Sequence, residues 1–572
     1  MNFLKKSLIC AFVLAAFFMA GCRQKDNSMK NGEYFGTGDG RSGPITVSIK
    51  VNDNKITGIK IISQAESDFA QPAIKVLTDG VLNGINPKKL DAVSGATLTS
   101  KGFKKALVSA SDSARGIVEK PKHYKDTKCD VVVIGSGGAG LSAAVEAASG
   151  GAKVIVLEKM GIAGGNTNYS TGGINASESS VQKKLGIQDS NEQFFKDTIK
   201  GGHYLNDEEL VRVLVENSAA AVDWLISLGA DLSDVGKMAG ASNPRTHRPK
   251  GGAPIGSHLV SVLSKAAADR GVEVRLKNKV TGILEVNDRA AGVIVESLAG
   301  TYVIEAGSVV IATGGFGANM DMLSKFNVAY RNFGTTNHPG ATGDGIKLAE
   351  KFNADTLLME KIQTHPTVAK ESGMMITEAV RGNGAILVNL EGERFVNEME
   401  TRDVVSGAIL NQLGKTAFLV FDQGVRDSLK AIDLYSELGI LKSARTPKEL
   451  ASRLGVNVAG FEQTLTRYNA FQKSGNDSDF GRKGSEMPAV LESAPYYGCE
   501  VAPAVHHTMG GLKIDTEARV LNRDGKPVEG LFAAGEVTGG VHGDNRLGGN
   551  SVSDIIVFGR IAGRSAVKNI KK

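Results

Sequence analysis

The chain is poor in cysteine, with four among 572 residues: Cys10, Cys22, Cys129 and Cys499. No two of them form a C-x-x-C pair, which argues against a zinc or iron–sulfur centre, so no metal is expected. C-x-x-C-H is missing as well, and with it the usual attachment signal for c-type haem. Tryptophan occurs once, at Trp224, and reads as a packing residue. Neither sign of charge dominates. The net charge is +6, and the basic residues are dispersed without an aromatic-interleaved patch, which argues against nucleic acid as a partner. Glycine, by contrast, is abundant at 70 residues, clustered at turn-like motifs rather than in a low-complexity tract. At this length one ordinary core does not suffice, so two or more domains are expected.

The most informative stretch runs from Asp130 to Glu158, DVVVIGSGGAGLSAAVEAASGGAKVIVLE. Val131 to Ile134 is the apolar, β-branched run of a strand buried on both faces. Gly135-Ser136-Gly137-Gly138-Ala139-Gly140 follows at once, and the small residues Ala139 to Ser149 read as a helix packed close to a sheet. A second strand, Lys153 to Leu157, ends on Glu158. This is G-x-G-x-x-G in its βαβ setting with an acid about 20 residues on, a dinucleotide site. Gly135 makes the turn, Gly137 admits a pyrophosphate and Gly140 seats the helix on the strand. The helix N-terminus faces the phosphates, and Glu158 can accept from a ribose hydroxyl.

The chain begins with Lys5-Lys6 and an apolar core, Ser7 to Met19, too short to span comfortably as a mature helix. Met19-Ala20-Gly21-Cys22 resembles a bacterial lipobox. That resemblance implies residues 1–22 as a lipoprotein signal, lipidation of Cys22 and an exported protein anchored on the outer side of the cytoplasmic membrane. Residues 23–31 read as a tether and 32–112 as a small separate α+β unit. In that unit Gly32 to Gly43 reads as turns. Ile45 to Val51 and Lys55 to Ile62 read as two strands joined at Asn52-Asp53-Asn54, and helices are expected over Ala73 to Val81 and Ser100 to Ala110. Between the helices lies Asp91-Ala92-Val93-Ser94-Gly95-Ala96-Thr97. Taken alone, Thr97 would read as an N-cap. The whole D-x-x-S-G-A-T resembles the flavinylation motif of FMN-binding domains, which implies FMN bound covalently to Thr97 as a phosphoester and a flavin transferase as maturation partner. Residues 113–128 read as a linker.

From residue 129 onward the glycine rhythm continues. Gly161 to Thr167, with Gly164, Gly165, Asn166 and Thr167, is a second glycine loop, followed by Gly172-Gly173. Such loops let backbone lie against a flat ring. Ser308 to Thr313 reads as a buried strand ending in Gly314-Gly315. Gly530 to Glu536 repeats that pattern, with Glu536 placed for a ribityl hydroxyl. Asn545 to Ser551 opens the last helix, with Asn550 and Ser551 at its N-terminus. Between about Phe352 and Ser493 the rhythm thins, as in an inserted cap. The cap carries Gln363-Thr364-His365-Pro366-Thr367, Met374 to Gly382, Arg394 to Glu398 and Thr401-Arg402-Asp403. His506-His507-Thr508-Met509-Gly510-Gly511 and Arg546 come after it.

Together these motifs resemble, in order, the flavoprotein subunits of fumarate reductase and succinate dehydrogenase, and within them the soluble, exported flavocytochrome-c-type fumarate reductases. The resemblance covers roughly 129–572, with the FMN unit in the place of the haem domain. It implies an α/β fold: a Rossmann-like FAD-binding domain (129–351 and 494–572) with an inserted α+β capping domain (352–493). Where membrane-complex members link FAD to a histidine, Asn166 stands here, so FAD is expected to be non-covalent.

The implied reaction reduces an unsaturated dicarboxylate, fumarate to succinate. The resemblance gives one carboxylate to His365 and Thr377 and the other to His506 and Arg546, with Met238 and Met375 packed against the substrate. Arginine suits bidentate carboxylate capture. Hydride would come from N5 of FAD and the proton from Arg402. A guanidinium holds its proton with a pKa above about 12, so Arg402 needs a strongly basic acceptor and prompt reprotonation. Glu378 and Arg381, three apart and so on one helical face, read as that relay. His507 reads as structural. Alone, Arg402 would read as a surface ion pair, His365 as a satisfied core histidine, and Glu378 with Arg381 as a plain salt bridge. Two other readings stay open: a reductase of urocanate, acrylate or methacrylate, and a flavin electron-carrier lipoprotein without turnover. With no haem or iron–sulfur ligands, electrons are expected from an external donor, such as a quinol-linked membrane protein or a cytochrome.

Overall fold

A computed structural model of the chain describes residues 28–41, 43–64, 66, 70–93, 96–117 and 122–570. The leader with Cys22, most of the tether, and Ser94-Gly95 of the Thr97 motif lie outside the described residues. Among the described residues no helix is long and apolar enough to cross a membrane, and no cluster of His, Cys, Asp or Glu could hold a metal ion.

The small N-terminal unit is an antiparallel sheet of β1 (Gly32–Asp39), β2 (Pro44–Asn52) and β3 (Lys55–Ser63), with helices α1 (Gln71–Leu82) and α2 (Thr97–Ala114). The expectation of turns over 32–43 is corrected here: most of that stretch is β1. Its glycines serve the approach of α2. A Cβ at Gly36 would strike the backbone of Ala106 and Ala110, and one at Gly38 the backbone of Gly102. The β2–β3 turn puts Asp53 and Asn54 at φ 49° and 59°, the left-handed pair that a two-residue hairpin requires. The linker read over 113–128 is also shorter, because α2 runs to Ala114 and the next strand starts at Thr127.

The large unit opens with β4 (Thr127–Ile134), α3 (Gly138–Ser149) and β5 (Val154–Glu158), the βαβ fingerprint. Helix α4 (Asn191–Gly201) lies apart from the sheet. Strands β6 (Glu273–Leu276), β7 (Asn278–Val286), β8 (Arg289–Ser297) and β9 (Gly300–Ile311) complete the order β7-β8-β9-β4-β5-β6. β9 pairs antiparallel with β8 through its first half and parallel with β4 through its second. Val131, Val132 and Val133 of β4 are fully buried, as a strand covered on both faces demands.

A second core belongs to the cap. Its sheet uses β10 (Ile362–Ala369), β11 (Ile386–Val388), β12 (Ala417–Asp422) and β13 (Tyr496–Thr508), in the order β10-β13-β12-β11. Two short helices carry its motifs, α5 (Ala379–Gly382) and α6 (Arg402–Leu410). β13 corrects the boundary at 493/494. Tyr496, Tyr497, Cys499 and Val501 pack in the cap's core, whereas Val505 packs in the FAD unit's core. One strand thus passes from core to core and delivers His506 and His507 to the seam. β14 (Pro527–Ala533) joins the large sheet beside β9, and α7 (Asn550–Ile570) closes the chain against α3.

Candidate active site

At the carboxyl ends of β4, β5 and β9 a cavity of about 480 Å³ reaches from the glycine loop to the cap. Gly135, Gly137, Ala139, Glu158, Gly164, Gly165, Asn166, Thr167, Gly172, Gly173, Glu536 and Ser551 all line it. Gly135 (φ 104°) and Gly164 (φ 116°) adopt backbone conformations open to glycine. A Cβ on Gly137 would come no closer than 3.7 Å to protein atoms, so it would fill the cradle itself. Glu158 is held by the loop it serves: Oε2 accepts from Ser136 N (3.0 Å) and Oγ (2.8 Å), and Oε1 from Met160 N (2.8 Å). Asn166 donates from Nδ2 to Asn337 Oδ1 (2.7 Å) and Glu536 Oε2 (3.2 Å). Burial pushes the Glu536 carboxyl up, against hydrogen bonds from Thr508 and Asn166 that favour its charged form.

Three residues of these motifs stand back from this cavity. Gly140 is one helix turn deeper, where a Cβ would strike the Gly135 carbonyl, so its role is helix–strand packing. Gly315 makes room for Glu536, whose Oε1 would lie 2.7 Å from a Cβ there. Asn550 turns inward: its Oδ1 accepts from Asn175 Nδ2 (2.7 Å) and its Nδ2 donates to Thr198 Oγ1 (3.1 Å). Thr97 is not among the lining residues and is exposed in the first turn of α2.

The cap end gathers His365, Thr377, Glu378, Arg402, His506, Arg546, Met238 and Met375 around the same space. The His365 and His506 rings are 5.3 Å apart at 68°. Burial first, then the nearby guanidinium groups of Arg402 and Arg546, hold both imidazoles well below the usual histidine range. They are neutral, so they offer hydrogen bonds rather than charge to an anion. The cations are the arginines. Arg402 donates from Nε to Glu378 Oε2 (2.8 Å) and from Nη1 to Gln363 Oε1 (3.0 Å). Its Nη2 makes no hydrogen bond among the described residues. Burial, reinforced by Arg402, pushes the Arg546 guanidinium down to about 9, and its Nε has no partner among the described residues. His507 also lines the cavity, and both its ring nitrogens lack partners there. It also packs edge-on against His542, ring centres 5.6 Å apart.

The relay pair is only half assembled. Burial raises the Glu378 carboxyl, but Arg402 and Arg381 outweigh it and hold the group below its ordinary range. Arg381 lies outside the cavity lining. Glu378 precedes α5, a helix of four residues, and no hydrogen bond joins its carboxylate to Arg381. Arg381 instead donates from Nη1 to the Glu398 carbonyl, while Nε and Nη2 remain unpartnered among the described residues. Burial pushes it down to about 10.

Several lining residues were not singled out from sequence: Arg41, Tyr169, Asn337 and His338. Asn337-His338-Pro339-Gly340 reads locally as a turn. Gln363, quoted only as part of a motif, ties Arg402 to Asn545 Oδ1 (2.6 Å) and to the Arg546 carbonyl (2.8 Å).

A glycine-lined dinucleotide cradle opening onto a cap rich in arginine and neutral histidine defines a flavin-dependent oxidoreductase. The chain matches the FAD binding domain family over residues 130–552 and the FMN-binding domain family over 40–112. It is 49% identical to a fumarate reductase (cytochrome) of Shewanella frigidimarina over 77% of this chain and 78% of that protein. It is 41% identical to an NADH:fumarate oxidoreductase of Klebsiella pneumoniae over 96% of this chain and 59% of that protein. A flavocytochrome c3 fumarate reductase solved in an open conformation aligns with a TM-score of 0.68 and 42% identity, over 78% of this chain and 79% of the other. The chain belongs to the flavocytochrome c3-type fumarate reductase flavoprotein family, with an FAD-binding domain and an N-terminal FMN-binding domain. It is a fumarate reductase-like flavoprotein oxidoreductase.

Proposed function

We propose that this protein reduces fumarate to succinate. The observation that carries this reading is the pairing of donors at the cap end. His365 with Thr377, and His506 with Arg546, supply two anion-binding groups in one cavity, as a dicarboxylate needs; a monocarboxylate needs one. The unpartnered Nε of Arg546 supports a charge-assisted bond to substrate. The cradle and the unpartnered ring nitrogens of His507 fit FAD. When bound, FAD supplies the hydride from N5, with electrons from covalent FMN on Thr97.

The chain's own residues do the rest. The clamp holds both carboxylates and turns one out of conjugation, which leaves the alkene more electrophilic. As the hydride's two electrons add at one alkene carbon, negative charge builds at the other. Arg402, through Nη2, gives its proton to that carbon and closes the second C–H bond. Glu378, a carboxylate 2.8 Å from Arg402 Nε, is placed to take up a proton from solvent once the guanidine is neutral and to pass it on to Arg402. Arg381 acts on this pair through charge rather than direct contact. Export, lipidation of Cys22 and supply of electrons by a quinol-linked membrane protein or a cytochrome complete the proposal.

Reduced viologen with a panel of fumarate, urocanate, acrylate and methacrylate tests it. Fumarate turns over fastest, and Arg402→Ala lowers that rate by at least about 10²-fold, the lower range for loss of a positioned acid. Faster urocanate or acrylate reduction rejects the substrate. Near-full activity of Arg402→Ala rejects the acid.

A further inference from the structure

Away from the cavity lining, a further histidine joins the two large domains. His203 follows α4 in the left-handed conformation, φ 55°. Its ring stands between carboxylates from opposite sides of the seam. Nδ1 is 3.5 Å from Asp544 Oδ2 on the FAD unit, and Nε2 is 3.6 Å from Asp403 Oδ2 on the cap. Lys361 Nζ lies 3.4 Å from the other Asp544 oxygen. These charged groups surround the ring across the seam.

The position of these carboxylates in the chain matters more than the strength of either contact. Asp403 is the neighbour of Arg402 in the first turn of α6. Asp544 begins the Asp544-Asn545-Arg546 segment. That segment is already fastened to the turn carrying His203: Asp544 N donates to the Gly202 carbonyl (3.0 Å) and Asn545 Nδ2 to the Gly201 carbonyl (3.1 Å). One imidazole therefore faces the backbone neighbours of both cavity arginines. The Arg546 side is tied to the His203 turn by hydrogen bonds, whereas Asp403 meets the ring through charge alone. A cap that swings open parts Asp403 from His203 and leaves Asp544 in place.

We propose that His203 is a positioning residue, an ionic clasp that holds the closed cap in the register that sets Arg402 against Arg546. The ring, as a cation, attracts both carboxylates. The inference rests on the dicarboxylate reading above. The three side chains are 33–44% exposed, so each pair is screened, and a clasp of this kind is worth about 2- to 5-fold in affinity.

The test is a titration of full-length, FAD-loaded oxidised protein with succinate, read by perturbation of the flavin absorbance, at pH 6. His203→Gln weakens binding about 2- to 5-fold. His203→Lys, a permanent cation, keeps the affinity. Asp403→Asn combined with His203→Gln is no worse than either alone. Wild-type affinity in His203→Gln overturns the clasp, as does equal loss in the Gln and Lys variants. Failure of wild type to bind any dicarboxylate would instead sink the substrate assignment.

Discussion

Burial decides what each ionisable group at the cap end is worth. His365 and His506 lose their charge to desolvation and to the arginines beside them, whereas Glu378 keeps its charge because Arg402 and Arg381 outweigh that cost. Behind them lies a buried ion network. Arg394 grips Glu398 with two parallel bonds of 2.8 Å and reaches Asp477 at 2.9 Å, while Arg482 meets Glu398 at 3.1 Å and the Arg381 carbonyl at 2.7 Å. Glu398 is thus the counter-charge that lets Arg482 hold the backbone of Arg381. Glu398→Ala would leave buried Arg482 without its carboxylate and Arg394 with Asp477 alone, at a cost of about 3–5 kcal/mol. The expected result is a thermal midpoint lower by roughly 10 °C, from 2–4 °C per kcal/mol for a unit this size. An unchanged midpoint would mean that water or Asp477 alone compensates. The sequence motif marked Arg394 and Glu398 as family-like, but Arg482, more than eighty residues on, gave no local signal.

At the scale of elements, small residues set the spacing. α7 lies against α3 because Gly559 and Gly563 leave room: a Cβ at Gly559 would sit 2.6 Å from the Ala139 carbonyl, and one at Gly563 would strike that of Ala143. The N-terminus of α3 is the phosphate end of the cradle, so this contact positions the cofactor site from behind. Gly559→Ala is expected to cost about 1–3 kcal/mol by overpacking and to lower FAD content, read by flavin absorbance per chain. Full flavin loading with an unchanged midpoint would show that the helices separate freely. The βαβ fingerprint was legible because its strands, helix and acid are contiguous. β1 was misread because the same glycines that signal turns also permit a helix to lie on a strand. Only the partner, α2, distinguishes the two.

Across the whole molecule, the small domain bridges the other two. Asp39 pairs with Lys277 of the FAD unit at 2.8 Å. Tyr169 donates from its hydroxyl to the Arg41 carbonyl at 2.7 Å, and the Arg41 guanidinium lies 4.4 Å from the Tyr169 ring centre. Ala70 packs in the cap's core. This docking brings the FMN-binding domain to the rim of the flavin cavity, with Thr97 exposed on the first turn of its helix. Mass spectrometry of the protein isolated from cells is expected to find a chain beginning at a lipidated Cys22 with one FMN on the peptide around Thr97. Thr97→Ala is expected to lose the FMN and keep the FAD. An unmodified Cys22, or FMN retained in Thr97→Ala, would refute the corresponding attachment.

By itself the sequence determined what is encoded contiguously: the glycine fingerprint, the order of cap motifs, the residue types able to grip a diacid and the two-flavin architecture. Short-range sterics and residue chemistry suffice for those. Tertiary structure alone decided which groups carry charge, that Arg381 stands off from Glu378, that Asn550 turns inward and that His203 faces both Asp403 and Asp544. Each of these depends on burial and on pairings between distant segments, and neither desolvation nor a contact across the seam exists until the chain has folded.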